Sequence, residues 1–369
     1  MTEERAQAEI EAAAHELVAS GAETGLQVAV IRNGRLVADV AAGAADPRTG
    51  VAVTGDTLFW AASTAKGVAS SVAHVLAQRG DLGYDMRAAG VWPEFAAHGK
   101  DRVTLRHVLL HTAGVPGLPP DTTAADLCDW DRMCAVIAAE QPWWEPGTRF
   151  GYHAKTFGFL LGEIIRRSTG RTISALLREV VTGPLGIEDD VHFGVPPRLL
   201  GRVARQVAPG GPAPPGPEPG SPQARAMPPG VRPDAGYANR RDVLAADIPS
   251  EGTMTARGAA RLYSGLLGHV QGVALVSPDR LATMAAVAVT GMDQVMGFDT
   301  QWAFGYAPGR PSDVPVRPGS AFGMVGMNGS AAYADIDSGV AVAVMRNRFT
   351  SGDLTTVARI DRIVAETLR

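Results

Sequence analysis

Ser63-Thr64-Ala65-Lys66 places a hydroxyl and an amine three residues apart. On a helix, residues i and i+3 share a face, so the Lys66 nitrogen can reach the Ser63 oxygen. A serine hydroxyl is a poor nucleophile until a neighbouring base takes its proton, and a lysine can do so only when its pKa is lowered. Burial and the positive end of a helix dipole both disfavour the charged ammonium and push in that direction. The chemistry such a pair allows is nucleophilic attack through the serine oxygen. A bare S-x-x-K match is weak, and a surface lysine beside an incidental serine is the plain alternative. Phe59-Trp60-Ala61-Ala62 ahead of the serine reads as a buried entry, an apolar-faced helix follows, and the other lysines stand only at 100 and 155.

Tyr152, at the end of Glu145-Pro146-Gly147-Thr148-Arg149-Phe150-Gly151-Tyr152, is a second candidate. A phenol held near a lysine can pass a proton to a leaving group and later take one from water, although a tyrosine after glycine is also a common core residue. His153 adjoins it and could tune it or touch a ligand. His107 and His111 stand at i, i+4 without an acidic partner, which favours structural roles over metal binding. Cys128 and Cys134 match no zinc spacing and read as reduced, packed thiols. There is no G-x-S-x-G elbow, no H-E-x-x-H and no G-x-x-x-x-G-K-[ST] phosphate loop. No cofactor or metal is called for.

The elements that must position these residues follow from periodicity. Leu26, Val28 and Val30 alternate up to Asn33-Gly34, a pair suited to the two φ > 0 positions of a tight turn, and Leu36 to Val40 returns as the second strand of a hairpin. Val68, Val72, Val75 and Leu76 have helical spacing and Gly80 can cap the helix, so Ser63 lies at or just inside a helix start. Helical faces recur at Leu105, Val108 and Leu109, and at Phe157, Leu160, Leu161, Ile164 and Ile165, closed by Gly114 and Gly170. Residues 209–233, dense in Pro and Gly, read as a long irregular surface loop or flap. Thr255 and Ser277, the latter followed by Pro278, are candidate N-caps. Strand patterns return at Ala303 to Tyr306, Ala331 to Ile336 and Val340 to Val344, and a final amphipathic helix uses Leu354, Val357, Ile360, Ile363, Val364 and Leu368.

Strands at both ends with helices between imply an α/β (α+β) fold whose central antiparallel sheet is built from both termini. The expected division is a discontinuous sheet domain, residues 1–70 with 290–369, and a mainly helical domain, 71–289. A chain of 369 residues, 46% hydrophobic and 20% charged, has enough material for this core. A net charge of −4 with no Lys or Arg run offers nothing for a phosphate backbone, so nucleic acid is not an expected partner. Met1 to Ser20 carries too many glutamates for a secretory signal, and nothing approaches the roughly 20 apolar residues of a membrane span. A cytoplasmic protein, not attached to a membrane, is expected.

Ser63-Thr64-Ala65-Lys66, the stretch from Trp144 to Tyr152, and Phe322-Gly323-Met324-Val325-Gly326-Met327-Asn328-Gly329-Ser330 together resemble the three motif regions of the class C β-lactamase-like superfamily. Val91-Trp92-Pro93-Glu94-Phe95, Leu109-Leu110-His111-Thr112-Ala113-Gly114 and Pro184-Leu185-Gly186 are similar too, so the likeness covers nearly the whole chain. The superfamily includes family VIII carboxylesterases, D-aminopeptidases, DD-peptidases and biosynthetic acyltransferases. The resemblance implies a β-lactamase/transpeptidase-like fold, an acyl-enzyme on Ser63, proton shuttling by Lys66 and Tyr152, and an oxyanion hole made by the backbone N–H groups of Ser63 and Met327, where donors and no particular side chain are needed. Met324, Gly326, Met327, Asn328, His153 and Trp302 become candidate substrate-binding residues, with the methionines suited to an apolar acyl pocket and Asn328 either a hydrogen-bond donor or a turn former.

Two positions depart from the pattern. The tyrosine motif, which commonly ends in Asn or Ser, here has Ala154, and the third motif, which begins with Lys in β-lactamases, here has Met324. Met324 has no donor and no charge for the carboxylate of a β-lactam, which disfavours strong β-lactamase activity. The readings left open are a serine hydrolase of small carboxylic esters, an acyltransferase of secondary metabolism passing the acyl group of an ester or thioester-like donor to an amine or alcohol acceptor, and, less favoured, a β-lactamase or DD-peptidase, or a catalytically silent binding protein on the same fold. Oligomeric state is not legible.

Overall fold

The computed structural model describes residues 2–211 and 215–368. The strands in chain order are β1 (Gly25–Arg32), β2 (Arg35–Asp46), β3 (Val51–Ala52), β4 (Phe59–Trp60), β5 (Val191–His192), β6 (Thr253–Met254), β7 (Val289–Met292), β8 (Asp299–Trp302), β9 (Ala307–Pro308), β10 (Ala321–Val325), β11 (Ala331–Asp335) and β12 (Val340–Arg346). Seven of them form one sheet in the order β3-β2-β1-β12-β11-β10-β9. The N-terminal hairpin and the C-terminal strands meet where β1 runs antiparallel to β12, with Val28 opposite Val344 and Val30 opposite Val342. Asn33 and Gly34, at φ 48° and 80°, make the β1–β2 turn, the geometry that matches the twist of paired strands.

Both faces of this sheet are covered, which is why β1 and β12 are buried along nearly their whole length. Leu26, Val28, Val30, Val342 and Val344 face the helix α1 (Thr2–Ala19) and the C-terminal helix Thr355–Thr367, meeting Ile10, Val357 and Ile360. The alternate residues Ala29, Ile31, Ala341, Ala343 and Met345 face the main core, to which the helix α2 (Thr64–Arg79) contributes Val68, Val72 and Leu76. Period-two alternation thus gives each strand two apolar faces, each large side chain adding about 1.5–3 kcal/mol on burial.

Three expectations are corrected. The helix Ala256–Leu266, which a boundary at 289 assigned to the helical part, packs on β1 and β12 and belongs to the sheet's layers. Residues 303–306 are a turn between β8 and β9, closed by Ala303 N–H donating to Tyr306 O at 2.9 Å, with Gly305 at φ 79°; the apolar run there fills the core from a bend. Within 209–233, positions 212–214 lie outside the described residues, but the remainder is not a free flap. It contains the short helix Pro222–Ala226, the Gln223 amide donates to Met296 O at 2.8 Å, and the Arg225 guanidinium lies 4.2 Å from the Trp143 ring. Among the described residues no helix is long and apolar enough to cross a membrane.

Candidate active site

Ser63 is the N-cap of α2. Before it, Ala62 is buried at φ 44°, a left-handed conformation that a non-glycine residue adopts at a cost of about 1–2 kcal/mol. This bend turns the chain from β4 into the helix and leaves the serine part-exposed at its start. Two loops hold the bend. Ala61 N–H donates to Gly252 O at 2.8 Å, and a Cβ on Gly252 would lie 2.8 Å from both Ala65 Cβ and His192 O, so only glycine lets residues 250–252 pass this close. From the other motif, Thr64 Oγ1 donates to Ser330 O at 3.1 Å. A Cβ on Gly326 would lie 2.4 Å from Ala61 O. That glycine is required for the turn after β10 to lie against the serine's own turn.

Lys66 is 1% exposed. Its Nζ is 2.9 Å from Ser63 Oγ and 3.2 Å from Ser250 O, and sits 5.0 Å from the centre of the Tyr152 ring. Burial, assisted by the positive charge of Lys155 and opposed by Glu251, brings its pKa down to about 7. An amine so tuned is substantially neutral at physiological pH and can accept a proton. Burial, opposed by the influence of the Ser63 hydroxyl, pushes the Tyr152 phenol well above its ordinary range, so it is a phenol and not a phenolate. The serine, lysine and tyrosine named from the sequence are therefore brought together.

What orients Tyr152 was not visible in the sequence. Asp293, fully buried, accepts at Oδ1 from the backbone N–H groups of Tyr152 (3.0 Å), Val295 (2.9 Å) and Met296 (2.9 Å), and at Oδ2 from Trp302 Nε1 at 3.4 Å. Trp302 in turn stacks on Tyr152, with ring centres 5.2 Å apart and planes 8° from parallel. One carboxylate thus locates both rings. No sequence signal marks Asp293, because it acts mainly through backbone donors of distant residues.

The remaining candidates divide. Trp302, Met324 and Phe150 form an apolar cluster around Tyr152, and Met324 also lies against Gly67 of α2, so the first residue of the third motif packs beside the serine's helix. Met327 is part-exposed, and among the described residues neither its N–H nor that of Ser63 donates to a protein group. Two candidates have their polar atoms engaged within the protein, and for Asn328 this is the turn-forming alternative. His153 is buried with both ring nitrogens occupied by backbone, Nδ1 on Gly151 O at 2.7 Å and Nε2 accepting from Val115 N–H at 3.1 Å; burial lowers its pKa to about 4. It is a neutral brace with both ring nitrogens engaged by backbone. Asn328 is also fully buried, its amide donating to Trp60 O (2.8 Å) and Ser330 Oγ (3.1 Å).

Asn328 therefore pins the turn that carries Gly326 and Met327 to the segment ahead of Ser63. Asn328→Ala should lower stability by about 1–3 kcal/mol through the unpaired groups it leaves and reduce kcat more than KM. Urea denaturation beside steady-state kinetics checks this, since loss of a substrate contact would instead raise KM at unchanged stability.

His111, at φ 57°, lies outside the helix Leu105–Leu109, so the i, i+4 face with His107 does not form. Its Nδ1 accepts from His153 N–H at 3.2 Å, and among the described residues no group of His, Cys, Asp and Glu is arranged to hold a metal. Cys128 and Cys134 are free thiols. Trp60 stacks on Phe349 in the core, and Trp144 packs with Val295 and Ala226 beneath the Pro/Gly-rich segment.

The chain is similar to known proteins along nearly its whole length. The family model described as Beta-lactamase matches residues 10–366. An esterase/β-lactamase from Mycobacterium tuberculosis (strain ATCC 25618 / H37Rv), LipL, is 32% identical over 351 residues, covering 88% of this chain and 77% of that one. A crystal structure of a family VIII carboxylesterase superposes with a TM-score of 0.88 at 31% identity, covering 98% of both chains. A penicillin-binding-protein homologue from Caulobacter crescentus does so at 0.85 and 34%, again over 98% of each. From its motifs, its seven-stranded sheet and these similarities, the chain belongs to the β-lactamase family.

Proposed function

We propose that the chain is a carboxylesterase that works through an acyl-enzyme on Ser63. The observation that carries this is the 2.9 Å contact between the Ser63 hydroxyl and a buried Lys66 whose pKa is lowered to about 7. Neutral Lys66 takes the hydroxyl proton as Ser63 Oγ bonds to the ester carbonyl carbon. The developing oxyanion is received by the N–H groups of Ser63 and Met327, donors that need no reorganisation. The intermediate collapses with cleavage of the ester C–O bond, and the proton returns through the Tyr152 phenol to the departing alkoxide. Water then repeats the sequence on the acyl-enzyme and releases the acid. The similarity to esterases supports this reading.

The surroundings favour a neutral ester of modest size. Phe150, Trp302 and Met324 are apolar, and the two lysines near Ser63 are both buried, Lys155 being ion-paired to Glu251. Neither is free to hold a substrate carboxylate of the kind a β-lactam carries. Incubation with p-nitrophenyl butyrate, rapid acid quench and peptide mass mapping should find the butyryl group on Ser63 and nowhere else. An adduct on another residue, or turnover by a Ser63→Ala chain, would overturn the assignment. Faster loss of the adduct when an amine or alcohol is added would show that the same intermediate also transfers its acyl group.

A further inference from the structure

Next to Lys66 lies a second buried ionic group to which the proposed reaction assigns no step. Lys155 is 2% exposed and Glu251 is 5% exposed. They form an ion pair, and both meet the Tyr237 hydroxyl, at 3.2 Å from Lys155 Nζ and at 3.1 and 3.0 Å from the two Glu251 oxygens. The Lys155 ammonium also lies 4.5 Å from the centre of the Tyr237 ring. Removing two charges from water costs several kcal/mol for each ion, and well-packed apolar side chains would often serve stability as well or better. The position is unfavourable in a second way: Lys155 is the N-cap of the helix Thr156–Thr169, where the helix dipole opposes a cation.

The pair is connected to the site along two short lengths of chain. Glu251 follows Ser250, whose carbonyl accepts from Lys66 Nζ, and Lys155 stands three residues after Tyr152. We infer that Lys155 and Glu251 act together as positioning residues, their opposite charges offsetting one another beside Lys66 so that neither alone drives the amine that meets the Ser63 proton. The inference rests on the esterase reading of Ser63 and Lys66.

The sign follows from the groups that face Lys66. Ser63 and the Tyr152 ring meet it directly, and within electrostatic range lie the imidazoles of His111 and His153 and the charges of Lys155 and Glu251. Both imidazoles are driven neutral by burial, so Lys155 and Glu251 supply the charge. Lys155 disfavours a second ammonium nearby, and Glu251 favours one. Outward, the pair is faced by Tyr237 and by the Cys128 thiol, which burial raises to about 11 and which also feels Asp242 and Arg240. Deleting one charge of the pair should therefore displace Lys66 in one direction, and deleting the other should displace it in the opposite direction.

The test is the pH dependence of Ser63 labelling by a fluorophosphonate, measured on the full chain and on Lys155→Met, Glu251→Gln, the double variant and Lys155→Arg. Lys155→Met should move the acid limb to higher pH, slowing labelling about five- to tenfold at pH 7 and converging on the parent above pH 9. Glu251→Gln should move the limb to lower pH. The double variant and Lys155→Arg should return towards the parental curve, and they keep the test decisive if a lone charge prevents folding. A loss that is the same at every pH, or limbs that stay in place or move together, would overturn the inference while leaving Ser63 as the labelled nucleophile. Absence of Ser63 labelling in the parent would instead remove the esterase reading, and this inference with it.

Discussion

Lys66→Ala should lower kcat/KM for a p-nitrophenyl ester by at least about a thousandfold and leave the folded state intact. General-base catalysis is worth about 10²–10⁴ in rate, and here the proposed base is also the group that holds the Ser63 hydroxyl. Members of one catalytic unit are not additive, so the loss should lie toward the upper end of that range. The fold should survive when both are measured near pH 8, where an amine whose pKa is about 7 is mostly neutral, and the alanine leaves the helix backbone unchanged. Near-unchanged denaturation alongside the kinetic loss is the expected pair of results; retained activity would show another base at work.

The same assignment fixes the pH profile. Lys66 must be neutral to accept a proton, so kcat/KM should be half-maximal near pH 7 and fall about tenfold per unit below it. Tyr152 must carry its proton, and burial has moved it above its ordinary value near 10, so no alkaline loss from the phenol is expected below about pH 10. A profile that instead fell through pH 9 would argue for a phenolate, formed by an interaction absent from the resting site.

Much of this was open to reading before any coordinates, and the parts that were not have a common physical cause. Ser63 and Lys66 are legible because helical periodicity alone brings residues three apart onto one face. The sheet made from both termini is legible because β1 and β12 carry period-two patterns, and the turn at Asn33-Gly34 declares its own conformation. Tyr152 needed the resemblance, since no local rule distinguishes a reactive phenol from a packed one. What sequence neighbourhood does not convey is direction. His153 and Asn328 sit beside the right residues, yet their polar atoms are occupied by Val115, Gly151, Trp60 and Ser330. Lys155 stood out as one of three lysines, but its partner Glu251 lies 96 positions away, a pairing no periodicity reports.

Asp293 is the strongest case of that blindness, and Asp293→Ala should lower kcat by about a hundredfold with a much smaller change in KM. Its carboxylate is the shared anchor of the Tyr152 backbone and the Trp302 indole, and Trp302 holds the phenol ring by stacking. Without it three backbone N–H groups in a buried loop lose their acceptor, at about 1–3 kcal/mol for each group left unpaired. The loop will then rearrange, and a phenol displaced by about 1 Å can cost 10²-fold in rate. Asp293→Asn separates position from charge. An amide oxygen can still accept the backbone N–H groups, so this variant should recover most of the stability and much of the rate. If both variants lost stability equally while activity per folded molecule stayed at the parental level, Asp293 would be a loop anchor only, and Tyr152 would owe its placement to the stacking of Trp302 and the His111 ring, whose centre lies 5.0 Å from its own.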